Sequence, residues 1–326
     1  MKLNGKKVLV TGGTGLIGQK LISILKKENC QIKIVSLDNI PQLDSDIEFQ
    51  KLNLTDINNC KKACEDVDVV FNLIGIKASP KIIKEQPADI FVPLLQFNTN
   101  MMEAAFRKNV DWYLYTSTVG VYPNLELMRE DDVWDGMPSK NDWFGGWAKR
   151  MGELQADVYK IQYGWDKVSI IRPANTYGPY DNFDPKGSMV VPSLIHRLFS
   201  GENPLNVWGD GSQLRDLVYS EDVASQMMSM VKNEINTILN SGSGKLVSIK
   251  ELVNVIIECS GIKGVEIFWD KTKPVGDVIR FLDMTKAKTF GITPKYNLYD
   301  GIKETIDWYI ENKNNLNNRY DYFSKK

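Results

Sequence analysis

Short apolar runs and longer amphipathic stretches alternate along the first half of the chain. Val8, Leu9 and Val10 form an unbroken apolar run, the pattern of a parallel strand covered on both faces. Leu16, Ile17, Leu21, Ile22, Ile24 and Leu25 follow at helical spacing, the stripe of an amphipathic helix. The alternation continues with strands at 32–37, 67–76, 112–118 and 168–172, and with helices at 91–108 and 148–162. Repeated strand–helix–strand units predict an α/β fold with a doubly wound parallel sheet. After Pro173 the pattern breaks. Gly, Pro, Asn and Asp crowd the segment YGPYDNFDPKG, and a helix follows at 191–199. The loop NVWGDGSQLRD and helices at 249–257 and 301–311 come next, with short strands between them. Residues 1–172 with 213–240 therefore read as a larger unit, and 173–212 with 241–326 as a smaller α/β C-terminal one. The second packs directly on the first, opening a cleft at the carboxyl ends of the strands.

The first strand runs into KKVLVTGGTGLIG, which sets Gly12, Gly15 and Gly18 at T-G-x-x-G-x-x-G spacing, with Thr14, Leu16 and Ile17 in the same turn. Three spaced glycines alone mark only a strand-to-helix turn. A strand before them and an amphipathic helix after them are the context in which such a turn seats a dinucleotide pyrophosphate on a helix N-terminus, in a Rossmann-type sheet. The next strand ends in Asp38, about 20 residues beyond the turn, where a carboxylate accepts from the adenosine ribose hydroxyls and repels a 2′-phosphate. This favours NAD over NADP, since Lys33 lies inside the strand and no arginine follows Asp38. An aspartate that merely caps the turn is the plainer alternative. Asn53 and Leu54, in KLNLTD, are candidates for the adenine end, although Asn in a turn is also ordinary.

A length of 326 residues holds one large or two fused domains, and a formal net charge of −1 offers no field for nucleic acid or an anionic membrane. No apolar run approaches the roughly 20 residues of a membrane span, and MKLNGKK leads into the first strand without a signal core, so a cytoplasmic protein is expected. Cys30, Cys60, Cys64 and Cys259 are scattered and read as free thiols. The single histidine, His196, lacks a nucleophile partner and reads as structural; no metal site is expected.

Further blocks carry a resemblance that spans essentially the whole chain. They are LIGIK at 73–77, TSTVGVYP at 116–123, GWAKRMGE at 146–153 and RPANTYGPYDNFDP at 172–185. VWGDGSQLRDLVYSEDVA from Val207 and KPVGDVIRFLD at 273–283 complete the set. With TGGTGLIG, the chain resembles the extended short-chain dehydrogenase/reductase family, in its nucleotide-sugar epimerase and dehydratase group. The last three blocks are most similar to the branch that epimerises and reduces a 4-keto-6-deoxy hexose on GDP.

The resemblance implies roles position by position. Ile74, Gly75 and Lys77 approach the cofactor, Lys77 at its diphosphate, and Asn98 shapes the site. Thr118 hydrogen-bonds the reacting sugar oxygen, and Lys149 binds the nicotinamide ribose. Pro173 and Ala174 lie by the nicotinamide, with Asn175 and Val190 on the substrate side. Arg215 holds the nucleotide diphosphate, where a planar fork suits phosphate oxygens, and Arg280 does similar work. Trp208 stacks on the base, or packs in a core. The helices bearing Met101, Met102 and Phe106, and Met151, Leu154 and Val158, would form a homodimer bundle, although each stripe could face its own sheet.

The departures are pointed. The family's proton-exchanging tyrosine precedes the lysine by four residues, and here that position is Gly145. The acid and base of the epimerising branch correspond to Gly120 and Met189. Three hydroxyls, on Thr118, Tyr122 and Tyr177, could substitute for the tyrosine, although both tyrosines sit where aromatic rings usually pack in a core. The leading reading is an NAD-dependent nucleotide-sugar epimerase, dehydratase or reductase, GDP-linked by resemblance, with Thr118, Lys149 and Tyr122 as catalytic candidates. The alternative is a catalytically impaired protein that binds NAD and a nucleotide sugar, or a partner subunit for an active relative.

Overall fold

The computed structural model describes residues 1–38, 44–76, 80–184, 187–273, 275–318 and 320. Strands β1 (Lys7–Thr11), β2 (Gln31–Ser36), β3 (Ile47–Lys51), β4 (Val69–Asn72), β5 (Trp112–Thr116) and β6 (Val168–Pro173) enter one sheet. Beyond it come β7 (Asn175–Tyr177), β8 (Leu205–Trp208) and β9 (Leu214–Tyr219). β10 (Ile238–Ser241) returns to the first sheet, followed by β11 (Leu246–Ser248), β12 (Ile267–Asp270) and β13 (Ile279–Arg280). The helices are α1 (Leu16–Leu25), α2 (Ile57–Ala63), α3 (Pro80–Glu85), α4 (Pro87–Arg107), α5 (Trp143–Tyr163), α6 (Val190–Phe199), α7 (Ser220–Lys232), α8 (Ile249–Ser260), α9 (Thr285–Thr289) and α10 (Leu298–Asn312).

The large sheet is parallel in the order β3-β2-β1-β4-β5-β6-β10, the doubly wound arrangement the strand–helix alternation predicts. Its order reverses between β1 and β4, and ligands of open α/β sheets bind at such a switch point, beyond the carboxyl ends of the strands. Alternating side chains feed two apolar layers. Val8, Val10, Ile34 and Phe71 join Leu21 and Leu25 of α1 and Met227 of α7, whereas Leu9, Val35, Val70 and Tyr115 join Leu94 and Phe97 of α4 and Ala148 of α5. Cover on both faces explains why these strands read as continuous apolar runs rather than alternating ones.

A second core gathers Val191, Leu194 and Ile195 of α6, Leu252 and Ile256 of α8, and Ile302 and Ile306 of α10. It backs β9, which pairs with β7, β11 and β13, while β8 and β12 pair separately. Within the 213–240 stretch, β9 lies in this smaller sheet. The chain rejoins the large sheet with α7 and β10.

Element boundaries move where capping and turn chemistry override periodicity. The strand expected over 112–118 stops at Thr116, and Thr118 caps a 3-10 turn at Val119–Val121 by accepting the Gly120 N–H. The helix expected from 148 starts at Trp143 and ends at Gly164, whose φ of 64° terminates it in the left-handed region. Of the expected dimer stripe, Met101 and Met102 are fully buried in their own core. Phe106 stacks on Tyr159 and Tyr163. Leu154 and Val158 remain exposed, with Ile161 beyond them on α5.

Candidate active site

The glycine turn sits at the end of β1, beside the switch point. Gly12 has φ +66°, and a Cβ there would stand 3.2 Å from the Leu73 carbonyl oxygen; at Gly18 one would stand 2.5 Å from the Gly12 oxygen. Side chains at either position would close the turn. Helix α1 begins with Gly15 as an N-cap that makes no side-chain bond, and its first turn carries no acidic residue. Its N–H groups therefore meet an anion without a competing carboxylate, a fit for a dinucleotide pyrophosphate. The Thr14 hydroxyl donates to Asp38 Oδ2 at 2.6 Å, and the Tyr320 backbone N–H donates to Oδ1 at 2.8 Å. The carboxylate is thus drawn to the glycine turn. Asn53 Oδ1 accepts from the Thr55 N–H and hydroxyl, a local turn, and the Leu54 side chain is core. Lys77 lies outside the described residues.

Lys149, on α5, is buried at the carboxyl end of the sheet. Its Nζ donates to the Thr116 carbonyl at 2.7 Å and to Ile74 O at 3.5 Å, and it lies 5.1 Å from the Tyr115 ring centroid. Burial lowers its pKa to about 7, against the opposing pull of Glu153. A lysine poised there gains or loses its proton near neutrality. Thr118 follows β5 by two residues and is partly exposed. One turn before Lys149 stands Gly145, and a Cβ built on it meets nothing within 4 Å.

The other two hydroxyl candidates are differently placed. Tyr122 is 1% exposed; its hydroxyl donates to Asn240 Oδ1 at 2.6 Å and accepts from Arg172 Nη1 at 2.8 Å. Burial pushes its pKa up, although Arg172 opposes this. Arg172 in turn forms a forked pair with Glu153, at 3.0 and 2.6 Å, and Ser117 Oγ donates to the same carboxylate. Both charges are buried, so each satisfies the other and the network fixes the segment after β5 against α5 and β6. Tyr122 is a strut in this network, not a free proton donor. Tyr177 is likewise buried beneath α10, its hydroxyl 3.5 Å from Leu298 O.

On the second unit, Arg215 and Arg280 are register partners on β9 and β13. Arg280 is held between Asp277 and Asp142; burial works against its charge, but the two carboxylates outweigh burial and raise its pKa. Arg215 makes no ion pair among the described residues. Its Nη1 donates to Leu214 O at 2.8 Å, and burial, then Arg280, lowers its pKa to about 10. It is the cation of the pair that gains most from an anion. Asn175 carries a buried Oδ1 without a partner among the described residues, Val190 opens α6, and Trp208 is exposed at the end of β8. Ala174 is tied to β10 through its N–H to Ser241 O at 2.8 Å, next to Pro173. His196 Nδ1 meets the Tyr309 hydroxyl at 3.0 Å, a packing role.

Beside Arg215, Asp216 is 1% exposed. Its Oδ1 accepts from Ser243 N–H at 2.7 Å and Oγ–H at 2.6 Å, whereas Oδ2 has no hydrogen-bond partner among the described residues. Burial raises its pKa from 3.8 to about 6. A pKa raised by folding means that stability is full below the unfolded value and is lost as pH rises through about 6. Asp216→Asn should therefore gain stability over the parent on going from pH 4 to pH 7, by on the order of 2 kcal/mol. Urea midpoints across that range check this; a difference that does not change with pH contradicts it.

Sequence reading missed Glu153, Arg172, Asp142 and Asp277 as organisers. Two weak signals existed: Glu153 lies one helical turn beyond Lys149, and Asp142 immediately precedes α5, where capping residues concentrate.

The sequence matches the NAD dependent epimerase/dehydratase family over residues 8–242. It is 30% identical over 318 residues to GDP-L-fucose synthase 1 of Arabidopsis thaliana, covering 94% of each chain. Among solved structures, a GDP-L-fucose synthetase from Naegleria fowleri bound to NADP superposes with a TM-score of 0.80 at 22% identity, covering 96% of each chain. UDP-glucose 4-epimerase of Thermus thermophilus in complex with NAD gives 0.81 at 25% identity, covering 93% of this chain and 99% of that one. With a glycine turn at the switch point, a buried lysine beside it and a match over most of the chain, the protein belongs to the NAD dependent epimerase/dehydratase family, whose cofactor is a nicotinamide dinucleotide.

Proposed function

We propose that the protein binds NAD and a GDP-linked hexose or heptose and moves hydride to or from a carbon of the sugar. The observation that carries this reading is the placement of Lys149, buried with a pKa near 7 at the carboxyl ends of the strands, within reach of the β4–β5 edge of the glycine turn's cleft. The cofactor, when bound, supplies or accepts the hydride. Lys149 orients the nicotinamide ribose and can exchange a proton at neutral pH. Thr118 hydrogen-bonds the reacting oxygen, since Tyr122 and Tyr177 have buried hydroxyls. Arg215 holds the diphosphate in place of Arg280, whose charge is already balanced by two carboxylates. The exposed stripe of Leu154, Val158 and Ile161 on α5 supports a homodimer through this helix.

Asp38 supports NAD over NADP, because a 2′-phosphate would face a carboxylate already fixed by Thr14. NADH is expected to bind at least tenfold more tightly than NADPH, and Asp38→Asn to narrow that ratio several-fold, as read by calorimetric titration. Titrating the NADH complex with GDP-mannose and UDP-glucose tests the substrate class: saturable binding of the GDP-linked sugar supports the reading, and binding of neither overturns it. A second reading, ligand binding without turnover, draws on Gly145, Gly120 and Met189, which leave no acid or base where the family carries them.

A further inference from the structure

The N-terminal end of α5 carries a carboxylate that the proposed function leaves unused. Asp142 is the N-cap of α5, and Gly145 and Lys149 follow it on the helix, one turn apart. Gly145 contributes no side chain, and a Cβ built on it meets nothing within 4 Å. The Asp142 side chain covers the Thr118 turn: a Cβ built on Gly120 would meet Asp142 Cβ and Cγ at 3.0 Å and Oδ1 at 3.3 Å. A glycine at 120 is what lets the carboxylate settle there.

The two oxygens of Asp142 are unequal. Oδ2 is buried and paired with Arg280. Arg280 is in turn fixed by Asp277, through Nε at 2.9 Å and Nη2 at 2.6 Å. Asp277 also accepts from Ser139 Oγ at 2.8 Å and from Asn141 Nδ2 at 2.7 Å, so the whole stretch before α5 is tied to the second unit. The side chain is nevertheless 27% exposed, and with Oδ2 buried that exposure belongs to the rest of the side chain, whose Oδ1 lies against Gly120. One oxygen is held by a guanidinium and the other lies beside Gly120, in the turn that Thr118 caps. The carboxylate oxygens are hydrogen-bond acceptors, and a fixed acceptor selects ligands that present a donor.

The geometry assigns Asp142 as a substrate-binding, specificity-determining residue whose Oδ1 accepts a hydrogen bond from a hydroxyl of the sugar, beside the oxygen held by Thr118. This rests on the nucleotide-sugar reading above. The sugar is then gripped from two sides, by a hydroxyl at Thr118 and a carboxylate at Asp142. Sugars lacking a donor hydroxyl at the facing carbon leave Oδ1 desolvated and unpaired, and are rejected for that reason.

The test compares sugar-bearing and sugar-free ligands on NADH-loaded protein, with GDP-mannose against GDP and UDP-glucose against UDP, for the parent and Asp142→Asn. The nearly isosteric asparagine is expected to weaken the nucleotide sugar by tenfold to a hundredfold, the scale of one hydrogen bond to a charged group, while the bare nucleotide changes less than threefold. If Asp142 served only to orient Arg280, both ligands would shift by the same factor, and that result overturns the assignment. A parent that binds neither nucleotide sugar overturns the proposed function with it, whereas a parent that binds one and a variant with an unchanged sugar-to-nucleotide ratio overturns the assignment alone. A second measurement needs no variant of this side chain. Replacing the sugar hydroxyls of the bound ligand singly by fluorine, which accepts but does not donate, should reveal one position that costs tenfold or more; uniform tolerance contradicts the assignment.

Discussion

Gly145→Tyr is expected to raise the rate of hydride transfer by about a hundredfold or more, the usual contribution of a placed general acid or base. Three observations support a gain instead of a clash. The position lies one turn before Lys149 on α5, so a phenol there points over the same cleft. A Cβ at 145 meets no atom within 4 Å, so the side chain has room to leave the helix. Lys149, able to carry a proton near pH 7, would lower the pKa of a neighbouring phenol when charged. Replacing a glycine in the first turn of α5 also removes part of its entropic penalty, at most roughly 0.5–1 kcal/mol, so the variant should fold at least as well as the parent. Single-turnover nicotinamide absorbance on NADH-loaded protein reads the effect. An unchanged rate in a folded variant would mean that the cleft holds the sugar in a different pose from the one Lys149 and Thr118 define.

Arg215→Met is expected to weaken the nucleotide sugar by about a hundredfold while NADH affinity stays within a factor of two. A diphosphate held by a partly desolvated guanidinium gains charge-assisted, forked hydrogen bonds, worth on the order of 1.5–3 kcal/mol each to a charged partner. Arg215→Lys should recover only part of the loss, because a point charge cannot span two phosphate oxygens. The variant should melt no lower than the parent, since Arg215 is depressed in pKa by burial and by Arg280 beside it. Loss of affinity with unchanged stability separates a ligand-binding role from a structural one. Equal weakening of NADH and nucleotide sugar would instead mean a collapsed cleft.

The sheet was legible because its strands are covered on both faces, which forces continuous apolar runs such as Val8 to Val10, and because the glycine turn has a backbone reason at Gly12 and Gly18. Arg215 became a candidate only through the motif around it. The hydrogen bonds of the Tyr122 hydroxyl could not be read, because its partners in space, Arg172 and Asn240, are 50 and 118 residues away in sequence. The pairing of Arg280 was hidden in the same way, since one of its two carboxylate partners, Asp142, is distant in sequence. The sheet that β9 joins could not be read, because a short strand carries no mark of its partners. Periodicity records burial within an element and is blind to which distant charge completes it.

The central claim is that this protein, with Gly145 one turn before Lys149, moves hydride to a nucleotide-linked sugar. Its most direct test is a single-turnover incubation of NADH-loaded protein with a GDP-linked 4-keto-6-deoxy hexose, following nicotinamide absorbance and product mass together. The account predicts sugar-dependent loss of the reduced nicotinamide signal with matching appearance of the reduced sugar. Saturable binding of the same ligand with no change in either signal would contradict it.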